Sequence, residues 1–95
     1  MHYHAYLRRT EEAAASLGGR FVSLAGGFYG VLLPTDDDDL FLVLALDLDG
    51  ANGWAVWTED GMGERCCEDT IDLGWVPMAQ LAHIARTAVD IHVCP

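Results

Sequence analysis

Ninety-five residues with a net charge of −10 and 52% apolar side chains suffice for one folded domain with its own core, and exclude a disordered acidic chain. An acid excess of that size disfavours direct binding to nucleic acid or to anionic lipid, both of which reward basic surface. No apolar run reaches the length that crosses a bilayer, and MHYHAYLRRTEE lacks the basic-then-apolar order of a secretion signal, so a cytoplasmic protein is expected.

The first element is a helix in AYLRRTEEAAASLGG, where Tyr6, Leu7, Thr10, Ala13, Ala14 and Leu17 recur at helical spacing. The Gly18-Gly19 pair ends it. Arg8 and Arg9 fall near its positive dipole end, either as a tolerated surface cost or as a basic patch. RFVSLA and GFYGVLLP read as two short strands joined at Gly26-Gly27, the second closed by Pro34, which has no N–H to donate. In the third strand Leu40, Leu42, Leu44, Leu46 and Leu48 alternate with Phe41, Val43, Ala45, Asp47 and Asp49, and the leucine face is the one helices should cover. GANG then turns the chain into WAVWTED. A loop of two or four residues would put Trp57 on the leucine face and Trp54 and Val56 beside Phe41 and Val43; an odd loop would reverse this. GMGERCCED has no period and reads as a loop, TIDLGW alternates as a last strand, and Pro77 opens a second helix through about residue 89. The expected architecture is a two-layer α+β fold: a largely antiparallel 4–5-stranded sheet with N- and C-terminal helices on one face, in the order α-β-β-β-β-(β)-α.

Charge is unevenly placed along this order. Residues 36–72 carry twelve acids against Arg65 alone, a net of −11, whereas the remainder carries Glu11, Glu12 and Asp90 against four arginines, a net of +1. Lysine is absent, and the abundance of Ala, Gly and Asp is that of a GC-rich genome. Three cysteines, two of them the adjacent Cys66 and Cys67, make no disulfide framework.

Several arrangements could carry chemistry. Counted as a calcium loop from Asp47, the chain has Ala51 at position 5, Asn52 at 6 and Thr58 at 12, where an oxygen ligand, glycine and glutamate are required. A hairpin explains the same residues without an ion. His2-x-His4 and His92-x-Cys94 would each set two ligands on one side of an extended segment, and four would converge if the ends met, although neither is a zinc-finger spacing. Cys66, Cys67 and Cys94 have no local signature joining them to His83 or His92 as a nucleophile and base. No metal or cofactor and no catalytic activity are therefore expected, a zinc-binding or enzymatic domain built on the terminal His and Cys residues being the alternative. Aspartates 36–39 can act as a solvated guard on the flank of an apolar strand or as a contact for a basic partner. The candidate partner-binding set is Asp36, Asp37, Asp38, Asp39, Phe41, Val43, Asp47, Asp49, Trp54, Val56, Glu59 and Asp60: an aromatic sheet face edged by carboxylates. Self-association into a homodimer could close the same face.

The order of a helix ending LGG, apolar strands, DLFLVLALDLDGANGWAVWTED and WVPMAQLAHIARTAV resembles a family of small actinobacterial proteins, a domain of unknown function, over roughly residues 7–90. The resemblance implies the helix–sheet–helix layout and assigns no functional residue. The functional expectation is a non-enzymatic acidic module, of the kind mobile elements and phages encode as inhibitors or modulators, that occupies a basic surface on a partner protein.

Overall fold

The structure is a computed structural model and describes residues 2–48, 52–65 and 70–91. Helix α1 (Tyr3–Leu17) leads into five strands, β1 (Arg20–Ser23), β2 (Tyr29–Pro34), β3 (Leu40–Leu46), β4 (Trp54–Asp60) and β5 (Ile71–Gly74), and helix α2 (Met78–Ile91) follows. The strands lie in the order β1-β2-β3-β4-β5, each antiparallel to the next. Both helices pack on the sheet, so the chain is an α+β domain with the predicted element order.

Helix α1 buries Tyr6, Thr10, Ala13 and Ala14, a stripe at positions i, i+4, i+7 and i+8. Two alanines in that stripe let the helix lie close to the sheet. The buried Thr10 hydroxyl donates to the Tyr6 carbonyl at 2.9 Å, so it enters the core satisfied. At the end of α1, Gly18 adopts a left-handed φ of 69°, and its N–H and that of Gly19 return to the Ala14 carbonyl. The next two strands turn at Gly26-Gly27, as the sequence suggests.

The core is one cluster beneath both helices. Val31 and Leu33 from β2, Leu42, Leu44 and Leu46 from β3, and Trp54 and Val56 from β4 meet the α1 stripe and Leu81 and Ala85 of α2. Register explains this membership: Val31 pairs with Leu44 and Leu33 with Leu42, and Leu44 pairs in turn with Val56 and Leu46 with Trp54. Opposed residues share a face, so the leucine face is the helix-covered one.

That register reverses the expected placing of the β4 aromatics. Pairing continues beyond β3 and β4, since the Asp47 N–H donates to the Gly53 carbonyl at 2.8 Å, which leaves five loop residues, 48–52, an odd number. Trp54 and Val56 therefore point into the core, 3% and 0% exposed, and Trp57 points to the outer face with Phe41 and Val43. The physical reason is Gly53. It bridges Gly74 of β5 at a φ of 70°, and a Cβ there would run into the Gly74 carbonyl. A residue needed for that close approach belongs to the sheet and is not available to make a tight Asn-Gly turn.

Candidate interaction site

The β2–β3 connection is built largely from its own side chains. Thr35 Oγ1 lies 2.8 Å from the Leu40 carbonyl and accepts from the Asp37 N–H at 3.1 Å, and Asp37 Oδ1 accepts from the Asp39 N–H at 2.9 Å. These are ST and Asx turns, which competing hydrogen bonds make natural for Thr and Asp in this spacing. All four aspartates of the run are exposed. The turn after β4 uses acid in the same way: Asp60 Oδ1 accepts from the N–H groups of Met62 and Glu64 at 2.8 and 2.9 Å.

The β3–β4 register brings these two acidic turns together. Leu40 pairs with Asp60, so residues 36–39 and residues 60–64 leave the same end of the sheet. Helix α1 also finishes here, since Gly19 lies against Leu33 and Val31. Near the end of α2, Arg86 and Val89 line a cavity of about 250 Å³ with Asp36, Asp37 and Leu40. Neither helix has a basic residue in its last turn, so the partial negative charges of both C-termini add to the carboxylates. The result is an acidic pole flanked by Arg86 and Arg20.

Asp47 does not belong to that pole. Leu40–Leu46 spans six residue steps of about 3.4 Å, which puts Asp47 roughly 20 Å or more away at the opposite end of the strand. There its Oδ2 accepts from the Asn52 N–H at 3.0 Å and shapes the loop. Asp49 lies outside the described residues, as do Cys66, Cys67, His92 and Cys94. The twelve-residue candidate set thus divides. Aspartates 36–39 and Asp60 share the pole, Glu59 and Phe41 adjoin it on the outer sheet face, Val43 is wholly buried there, and Trp54 and Val56 leave the set for the core.

The outer face is also less open than an uncovered sheet would be. Trp57 is only 7% exposed, and its indole N–H donates to Glu59 Oε2 at 2.6 Å. Arg65, bridged to Glu59 across the turn, lays its guanidinium carbon 4.2 Å from the Trp57 ring centroid, while its Nη1 donates to Thr70 Oγ1 at 2.9 Å. Neither Trp57 nor Arg65 belongs to the set expected from the sequence. Trp57 and Glu59, two residues apart, share a face in any register, and the odd loop makes it the outer one, with Phe41 and Val43.

The terminal histidines are differently placed from the extended arrangement considered for zinc. His2 is the N-cap of α1 and His4 lies in its first turn, a spacing that does not align side chains on a helix. Among the described residues no three His, Cys, Asp or Glu side chains are grouped to hold a metal ion, and no helix is long and apolar enough to cross a membrane. His83 is exposed on α2, its carbonyl accepting from the Thr87 hydroxyl at 2.9 Å. No protein-family model matches the chain, and neither does any curated protein or solved structure.

Proposed function

We propose that this chain is a non-enzymatic binding module whose acidic pole docks on a basic surface of a partner protein and so inhibits or modulates that partner. The observation that carries this reading is the register that sets two acidic turns, distant in sequence, at the end of the sheet where both helices finish. A pole of this kind raises the local concentration of cationic surface and speeds its encounter. Two copies meeting pole to pole repel, so the partner is a different, basic protein. Nucleic acid is excluded from the pole by the same sign of charge.

Calorimetric titration with a capped peptide of alternating arginine and alanine tests the reading. Affinity is expected to fall at least about tenfold between about 50 mM and about 500 mM salt, because exposed charges are screened over a few ångströms at the higher value. Replacing all four aspartates 36–39 by asparagine should remove most of the low-salt binding while the thermal melt stays cooperative. Binding that ignores salt, or that the asparagine variant retains in full, overturns the proposal.

A further inference from the structure

A cavity of about 600 Å³ is lined by Phe28, Ala45, Trp57, Glu59 and Arg65, and it reaches past the sheet to Tyr6 and Leu46 of the core. A second cavity of about 290 Å³ adjoins it toward the acidic pole, where Val22, Leu32, Phe41 and Asp60 line it and Glu59 is common to both. Arg20 also borders this second cavity. Glu59 therefore stands between an aromatic chamber and the acidic turn that Asp60 begins.

The chemistry of this chamber suits a planar cation. An indole face, a carboxylate held in place by the same indole, and apolar walls together reward a guanidinium, which stacks on the ring and hydrogen-bonds sideways to the acid. The chain already shows the arrangement in itself, because Arg65 lies over Trp57 beside Glu59. Arg65 is an exposed residue, and its hydrogen bond to Thr70 lies at the surface.

We propose that this chamber is a seat for an arginine side chain of the basic partner, and that Arg65 occupies the seat until the partner's arginine displaces it. The inference rests on the docking of a basic partner at the acidic pole, and it adds the anchor residue and the contact that guards it. The pole attracts the partner, and the chamber holds one side chain once water has been excluded around it. Arginine is favoured over lysine because an ammonium is more strongly hydrated and cannot stack.

The test uses the capped arginine–alanine peptide and its lysine counterpart on the full chain. Arg65→Ala should bind the arginine peptide about tenfold more tightly than the wild type, and Arg65→Gln, which keeps the methylene cover over Trp57, should shift in the same direction. Glu59→Gln should bind about tenfold more weakly, the size expected when a charge-assisted hydrogen bond is lost. In the wild type the Trp57 indole N–H resonance should move as arginine peptide is added and move less with lysine peptide. Unchanged or weaker binding in both Arg65 variants, or an indole resonance that does not move, overturns the seat. If the wild type still binds in a salt-dependent way and loses binding with aspartates 36–39 replaced, the acidic-pole reading survives that failure. Absence of low-salt binding by the wild type and both Arg65 variants overturns both.

Discussion

The hydroxyl of Tyr6 ties α1 to the sheet through a reciprocal pair of bonds. It donates to the Tyr29 carbonyl at 2.9 Å and accepts from the Tyr29 N–H at 2.9 Å. The ring is wholly buried, edge-on to Phe28 and tilted against Tyr3. Tyr6→Phe keeps the packing and strands both backbone groups, so it should cost about 2 kcal/mol in denaturant unfolding. Burial raises the Tyr6 phenol above its ordinary value of 10.0, more than the Tyr29 hydrogen bond lowers it, and the neighbouring Tyr3 adds to the rise. With the folded value raised, this group's contribution to stability is complete below about pH 10 and is lost as pH climbs through the folded value. Stability should accordingly fall on the alkaline side, and Tyr6→Phe should flatten that part of the profile. A variant whose alkaline decline matches the wild type would refute the assignment to Tyr6. Periodicity places Tyr6 on the buried face of a helix. Its hydrogen-bond partner, 23 residues away, depends on how β2 is docked, which no local spacing encodes.

At the scale of elements, strands and helices follow from local pattern, and the facing of β4 follows from one loop. Alternating leucines dictate that one side of β3 is buried, since reversing it would expose a row of side chains each worth about 1.5–3 kcal/mol on burial. For β4 the two faces are closely balanced, with tryptophan and an aliphatic or small residue on each, so its own alternation does not choose. The odd five-residue loop and the Gly53–Gly74 bridge make the choice. Val56→Thr, nearly isosteric, now introduces a hydroxyl into the core and should destabilise by about 2 kcal/mol, whereas Ala55→Thr on the outer face should stay within about 0.5 kcal/mol of wild type. Chemical denaturation of the two variants checks this, and equal effects would contradict the register. The candidate site inherited the same dependence: Phe41 and Glu59 were legible as neighbours of the acid, while Trp57 and Arg65 were not, because their facing hangs on that loop and on the turn after β4.

On the scale of the whole molecule, two acidic turns, residues 36–39 and 60–64, meet at one end of the sheet, while Asp47 stands at the other. A chain of net −10 with two acidic turns and two helix C-termini at one pole stores repulsion that the folded state has to overcome. Raising salt from about 50 mM to about 500 mM should therefore raise the thermal midpoint, with a gain on the order of 1 kcal/mol in stability. Replacing aspartates 36–39 by asparagine should shrink that gain. A midpoint that falls with salt would show that the acids are held in favourable pairs.

The sequence by itself determined the element order, the helix-covered leucine face and the acidic character of the middle of the chain. Each of these follows from a period or a composition that holds over a handful of neighbouring residues. Only the tertiary structure decided which β4 residues entered the core, that Asp47 stands at the far end from residues 36–39, and that Arg65 closes over Trp57. Those outcomes turn on loop parity and on a backbone approach between two glycines, and a change of one residue in a loop reverses them while leaving every local pattern intact.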